Sequence, residues 1–204
     1  MSRVAQVAFL LLAGALAACQ AGVPSGAPTR SPSPTSGAPT APPTAAPSAP
    51  TSFEATFSCP PPSLTLVPPS NRLTGVEVSS RAGFDQVIFR FGPPAEAGGS
   101  APVLAVAPTS PPFVEGASGR PLAVAGERFI ALTFRQMVIA DGQGNPSDAG
   151  PGRLTGPGPA VREVVRSEAF EGVVSWLIGT ATPGCARVAV DRAAERLLVE
   201  VAHP

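Results

Sequence analysis

The chain of 204 residues contains no lysine and no tyrosine, and it has one histidine and one tryptophan. All of its 14 cations are therefore arginines, which balance 14 acidic residues and form no basic block. This balance argues against a nucleic-acid partner and against an electrostatic membrane patch. With Trp176 as the single tryptophan, a glycan site built from stacked aromatic rings is also disfavoured.

No apolar run reaches the roughly 20 residues that a membrane-spanning helix needs. The longest run extends from Val4 to about Leu16, follows a short positive segment that contains Arg3, and ends in small residues before Cys19. This order is typical of an export signal. The sequence therefore predicts an exported protein that faces the extracytoplasmic side.

The end of this run, Leu16-Ala17-Ala18-Cys19, resembles the bacterial lipobox. The resemblance implies cleavage after residue 18, a diacylglycerol on the Cys19 thiol and an acyl chain such as palmitate on the new amino group. Each buried methylene contributes about 0.8 kcal/mol, so two or three chains hold a protein on a bilayer where one does not. Residues 1–18 are thus predicted to be a lipoprotein signal peptide. An ordinary cleaved signal peptide and an uncleaved anchor are the alternatives.

Residues 19–52 consist almost entirely of Ala, Pro, Ser, Thr and Gly, with one charge at Arg30. Such a composition cannot form a core and favours an extended, disordered linker. At about 3.1 Å per residue in polyproline-II conformation, its reach is at most on the order of 100 Å. We expect a tether between lipid and domain; a docking site for proline-recognising domains or O-glycans is the alternative.

From Phe53 onward, charged residues, valines and phenylalanines return, which predicts an ordered lead-in at 53–72 and a folded domain at 73–204. Short apolar runs lie between turn residues, as in an all-β antiparallel sandwich or barrel. The predicted strand runs are Val76–Val78, Val87–Phe91, Val103–Val106, Leu122–Val124, Phe129–Phe134, Val161–Val165, Val173–Ile178 and Arg187–Val190. The last run, from Ala194 to Val201, fits a helix and a strand equally well.

Three segments, GFDQVIFRFG (Gly83–Gly92), FEGVVSWLIG (Phe170–Gly179) and RLLVEV (Arg196–Val201), resemble the AMIN-like domain of bacterial envelope lipoproteins. The resemblance implies a β-sandwich and makes the last run a strand that follows a turn at Asp191–Glu195. It also implies a non-catalytic envelope role with peptidoglycan or a partner protein as the contact. Proline-rich stretches near Pro93–Pro112 depart from the family pattern. The resemblance therefore does not predict the shape of any groove there.

With Cys19 assigned to lipid, Cys59 and Cys185 remain as a pair in an exported domain, where disulfides form. In the simple loop model such a bridge would stabilise the domain by roughly 5 kcal/mol, and it would pin the Phe53–Asn71 segment to the sandwich. Two separate thiols are the alternative reading.

Few residues suggest a catalytic or metal-binding role. The oxygens of Asp141, Gln143, Asn145 and Asp148 have the spacing of a calcium loop, but Pro146 and Arg153 stand where such a loop needs glycine and glutamate. Turn formation explains these residues, and we predict no metal and no cofactor. His203, the only histidine, is expected at a frayed end without a catalytic role.

Three further residues each have two readings. The acids Glu163 and Glu168 could serve a glycosidase, but acids among valines in strands usually face solvent. Trp176 could stack on a sugar, although its apolar run favours burial. Asp85 could contact a partner, although we favour a role in a local turn.

Taken together, these residues predict a lipid-anchored, non-catalytic domain that binds an envelope component. A cell-wall enzyme using carboxylates and a purely structural lipoprotein are the alternatives.

Overall fold

Ten strands pair into two antiparallel sheets in the computed structural model of the chain, which describes residues 56–95, 101–140 and 150–204. The described strands are β1 (Leu64–Leu66), β2 (Leu73–Arg81), β3 (Phe84–Phe91), β4 (Val103–Thr109), β5 (Phe113–Val114), β6 (Pro121–Leu122), β7 (Arg128–Arg135), β8 (Arg153–Thr155), β9 (Val161–Phe170), β10 (Val173–Thr180), β11 (Ala186–Asp191) and β12 (Arg196–Ala202). The larger sheet has the order β1-β4-β7-β10-β9-β8, and the smaller has the order β11-β12-β3-β2. Strands β5 and β6 form a separate hairpin. None of the described residues belongs to a helix that could span a bilayer.

The two sheets pack face to face around alternate residues of their strands. On β3 of the smaller sheet, Val87, Phe89 and Phe91 are buried. The Phe134 ring of the larger sheet lies 5.6 Å from that of Phe89 and 6.0 Å from that of Phe91, between centroids. Trp176 meets Phe89 at 5.9 Å, nearly edge to face. These rings join the sheets at the spacing of a sandwich core, and the predicted all-β sandwich is confirmed.

Each predicted strand run overlaps an observed strand, although Leu122–Val124 contributes only its first residue to β6. The final run is strand β12, as the resemblance implied, and the turn at Asp191–Glu195 precedes it. There the Asp191 carboxylate accepts a hydrogen bond from the Ala194 N–H at 3.1 Å. Strand β12 lies between β11 and β3 and is buried on both faces, which explains why its sequence lacks a clean alternation.

Strands β1, β5 and β8 have no counterpart among the predicted strand runs. Strands β1 and β8 form the two edges of the larger sheet and have three residues each, too few to show an alternating pattern. Short edge strands also limit unwanted pairing with other chains. The proline-rich stretch near Pro93–Pro112 contains β4, which is an interior strand of the larger sheet.

The β5–β6 hairpin and the segment after it lie on the outer face of the larger sheet. Phe113 of β5 packs edge-on against Phe129 of β7, with 4.9 Å between ring centroids. The backbone approaches closely because position 179 is glycine: a Cβ there would lie 2.0 Å from the Ala125 carbonyl oxygen. The Ala125 N–H also donates to the Glu163 carboxylate at 2.8 Å. The hairpin and the segment around Ala125 therefore cover part of this outer face.

The lead-in before β1 is fastened to the smaller sheet. Ser58 exchanges two backbone hydrogen bonds with Ala186, at 2.9 and 3.0 Å. Cys59 and Cys185 are joined by a disulfide with 4.4 Å between their Cα atoms, which is the pairing expected from the sequence. The described part of the lead-in thus lies beside the edge strand β11.

Candidate functional site

The end of β9 and the tip of the β5–β6 hairpin enclose an open cavity of about 260 Å³, which we call the tip groove. Its lining residues come from these two segments, and most are polar or small. They are Glu115, Ala117, Ser118, Arg166, Ser167, Glu168 and Ala169. A polar, open groove of this size can accommodate a small group of a larger ligand rather than a whole cofactor.

A β-bulge in β9 shapes the groove. The register between β9 and β10 shifts by one residue, so that Ser175 opposes Glu168 whereas Trp176 opposes Arg166. The extra residue, Ser167, accepts a hydrogen bond through its carbonyl from the Gly116 N–H at 2.8 Å, which holds the hairpin tip in place. Bulges commonly redirect side chains next to functional sites.

Glycine at position 116 lets Glu168 lie directly beneath the hairpin tip. A Cβ on Gly116 would be only 2.6 Å from the Glu168 carboxyl carbon. The Glu168 side chain is half-buried, and the Ser175 hydroxyl donates to its Oε2 at 3.5 Å. That distance is at the outer limit of a hydrogen bond, so this carboxylate keeps most of its accepting capacity.

The second carboxylate of the groove is engaged by its own hairpin. Hydrogen bonds from the Ser118 hydroxyl, at 2.7 Å, and from Arg120 lower the pKa of the Glu115 carboxyl. Arg120 reaches it with two nitrogens, at 2.7 and 2.9 Å. Glu115 thus stabilises the tip, whereas Glu168 faces the groove with few partners.

An uncovered part of the outer face continues from the groove across the larger sheet. Its cross-strand line runs from Glu168 through Ser175 and Thr133 to Ala105, all opposed in register. We call these four residues the open shelf. The rings and methyls at its rim are exposed, with Phe170 at 49% and Val103 at 36%. Exposed apolar side chains of this kind are typical of contact surfaces when they lie together.

A second cavity, of about 360 Å³, lies beside the disulfide at another end of the domain. Four prolines, Thr109, Arg128 and Phe129 line it; the prolines are Pro60, Pro61, Pro108 and Pro183. Its lining contains no carboxylate, and its one charged side chain is Arg128.

Asp85 is the most completely buried acid in the described residues, with 0% exposure. It lies on the core side of β3, and its Oδ2 accepts the N–H groups of Ala160 and Val161, both at 2.8 Å. His203 Nε2 lies 3.0 Å from Oδ1, and the Ser80 hydroxyl also donates to the carboxylate. Asp85 therefore joins the smaller sheet to the start of β9 in the larger one.

Burial alone would raise the pKa of the Asp85 carboxyl. The hydrogen bonds from Val161, Ser80, His203 and Ala160 outweigh burial, so this pKa lies below its ordinary value. The cluster is not arranged as a nucleophilic triad, because the serine donates to the carboxylate instead of to the imidazole. The Asp85 cluster therefore has a structural role.

Two sequence predictions are corrected by this cluster. Asp85 does not serve a local turn: it is a strand residue that binds backbone about 75 residues away. His203 is not at a frayed end, because its N–H donates to the Gly83 carbonyl at 3.0 Å and its ring contacts Asp85. Sequence pattern gave no signal for these contacts, since the partners lie far apart in the chain.

The remaining candidates have mixed outcomes. Trp176 is buried at 1% exposure, as predicted. Glu163 was expected to face solvent, but its side chain is 14% exposed because it pairs with Arg153 under the Ala125 N–H. The Asp141–Asp148 loop and the Cys19 segment lie outside the described residues, and the described ones hold no metal-binding group of acids, histidine and cysteine.

Comparison with known proteins gives one match. No curated protein and no solved structure is significantly similar to the chain. The family model of the AMIN-like domain matches residues 71–203, which include both sheets from β2 onward, the tip groove and the Asp85 cluster. Because this match spans well over half of its residues, the chain belongs to the AMIN-like domain family.

Proposed function

We propose that the protein is a lipid-anchored, non-catalytic component of the bacterial envelope whose AMIN-like domain binds peptidoglycan. Family membership over residues 71–203 carries this proposal, because AMIN-like domains occur in envelope-associated proteins and are binding domains. The domain at 73–204, the lead-in at 53–72, the linker at 19–52 and lipid on Cys19 form one tethered arrangement in this proposal.

The tip groove is the binding site that the geometry favours. It is concave, polar and open, and it carries the half-buried Glu168 with few partners. The buried Asp85 cluster has its hydrogen-bonding capacity used internally, and the proline-lined cavity has no carboxylate among its lining residues. Of these three places, the tip groove alone offers a half-buried carboxylate with few partners to a wall fragment.

Retention on purified cell-wall sacculi tests this proposal. The full chain, solubilised in detergent, is sedimented with sacculi, and the bound fraction is measured. An Ala117→Trp variant places a large side chain in the groove, whereas Ala193→Trp places the same side chain in the exposed β11–β12 turn. We expect retention of the unaltered chain and of the Ala193 variant, and loss for the Ala117 variant. No retention of any form above a control protein would contradict the proposal.

A partner protein of the envelope is the second candidate, and the open shelf favours it. Exposed Phe170 and Val103 lie at its rim, and aromatic and apolar side chains are frequent in the centre of protein interfaces. A Phe170→Ser change would then abolish capture of a protein while leaving sacculus binding intact. A wall enzyme would turn over wall fragments, and this activity would disappear on changing a single acid. A purely structural protein would show neither binding nor turnover.

A further inference from the structure

We propose that the tip groove recognises a primary ammonium group and that Glu168 is its counter-ion. The inference rests on the proposed function for the position of the site, and it adds the chemical class of the ligand. An ammonium is a compact cation with three donors, which matches a pocket of acceptors.

Acceptors dominate the lining of the groove. Besides the Glu168 carboxylate, the Ser167 hydroxyl donates to the Ser175 carbonyl at 3.4 Å, which leaves its lone pairs free to accept. Ser118 likewise donates its proton to Glu115. The Ser167 hydroxyl therefore faces a ligand as an acceptor, whereas the Ser118 oxygen already accepts from the backbone N–H and the Nε of Arg120, both at 3.3 Å. A ligand rich in donors fits this lining better than an anion does.

The charges of the lining point to a cation. Glu115 is paired with Arg120 inside the hairpin. Arg166, the one cation in the lining, has its guanidinium carbon 5.9 Å from the Trp176 ring centroid and forms further interactions. Glu168 has only the distant Ser175 hydroxyl among the described residues. Glu168 is therefore the carboxylate of the lining that has no ion pair among the described residues. The Arg166 guanidinium lies towards Trp176, which Arg166 opposes in register and which is buried in the core.

Two sources in a bacterial wall carry this chemistry: an amine on a peptide side chain and the amine of a deacetylated aminosugar. The chain itself offers no competing group, because it contains no lysine. The exposed ring of Phe170 follows Ala169 of the lining and suits the apolar part of a peptide. We therefore assign the amine of a wall peptide as the ligand and leave the aminosugar as an outcome of the test.

Nuclear magnetic resonance of the ¹⁵N-labelled full chain in detergent tests the inference with a defined probe. The probe is Nα-acetyl-lysine amide, and its control is the same compound acetylated at Nε. We expect the amide signals of Gly116, Ser167 and Glu168 to shift with the amine and not with the control. Glu168→Gln should weaken the amine's effect about tenfold, whereas Glu171→Gln, which removes the same charge from an exposed turn, should not. Equal shifts with both compounds, or an unaffected Glu168 variant, would overturn the inference.

A second measurement separates this inference from the proposed function. Sacculi whose amines have been acetylated are compared with untreated sacculi, and with sacculi in which only the aminosugars have been re-acetylated. Loss on full acetylation alone identifies the peptide amine, and loss after aminosugar acetylation identifies the sugar instead. Retention on every preparation would sustain wall binding and reject the ammonium site. Amine-dependent shifts without any retention on sacculi would sustain the ammonium site and reject wall binding.

Discussion

At the scale of single residues, the buried Asp85 carboxylate makes a testable contribution to stability. It satisfies two backbone N–H groups and contacts Ser80 and His203 without solvent exposure. We expect Asp85→Ala to lower the free energy of unfolding by about 3 kcal/mol, because it leaves buried donors unpaired. Asp85→Asn keeps an acceptor for these donors and should cost less. Urea unfolding at pH 7 measures both changes.

The same residue predicts a pH dependence. Because the pKa of Asp85 is lower in the folded than in the unfolded chain, its contribution is complete above the unfolded value of about 3.9 and is lost as the pH falls through the folded value. Between pH 5 and pH 2, the unaltered chain should therefore lose more unfolding free energy than Asp85→Asn does. Parallel curves for the two proteins would show that Asp85 is not the responsible group.

Gly158 is the residue that makes room for this carboxylate. A Cβ on Gly158 would lie 1.9 Å from Asp85 Oδ1, whereas one on Gly152 would be in ordinary contact at 3.6 Å from Arg166. We expect Gly158→Ala to destabilise the domain by about 2 kcal/mol or more, since overpacking there displaces a buried charge. Gly152→Ala is the matched control and should change little. Thermal unfolding compares them, and equal midpoints would refute the packing argument.

At the scale of structural elements, the β5–β6 hairpin depends on a close backbone approach to β10. Gly179→Ala would place a Cβ 2.0 Å from the Ala125 carbonyl oxygen, but an alanine at Gly75 would meet nothing within 4 Å. We predict that the first change releases the segment around Ala125 and the second does not. Amide hydrogen exchange of that segment is the measurement. If the amides around Ala125 exchange equally slowly in Gly179→Ala, the packing of this segment on β10 does not require the glycine.

The elements also show how far the sequence could predict the fold. Long strands such as β3 and β7 show alternation because one face meets the core, so their runs were identified. Strand β12 is buried on both faces and needed the family resemblance to be assigned. Three-residue edges such as β1 carry too little pattern to be recognised. The tip groove was missed because its two walls meet only after the hairpin folds onto β9.

The lead-in is a further element with a measurable role. The Cys59–Cys185 disulfide spans 126 residues of sequence, and a loop of this length gives a stabilisation of up to roughly 5 kcal/mol in the chain-entropy model. We expect the Cys59→Ser/Cys185→Ser double variant to unfold at a lower urea concentration. Mass spectrometry after alkylation of the native, unreduced domain gives the bonding state directly. Two alkylated thiols there would contradict the bridge.

Across the whole chain, the proposed protein has a lipid-anchored end and a binding domain. Cys19→Ser should abolish palmitate labelling and release the protein from membranes, because no acyl chain remains to hold it. A change of Ser25 to alanine in the adjoining linker is the control and should leave both properties unaltered. Palmitate labelling with membrane fractionation is the assay. Continued labelling and membrane attachment of the Cys19 variant would disprove the anchor.

Cross-linking inside living cells tests whether the tip groove contacts the wall. A light-activated cross-linking amino acid replaces Ala117 in the groove or, as the control, Ala193 in the opposite-sheet turn. We predict that the first position yields an adduct that sediments with the wall and is released by muramidase digestion, and that the second yields none. Equal adducts at both positions, or no wall adduct at Ala117, would contradict the account.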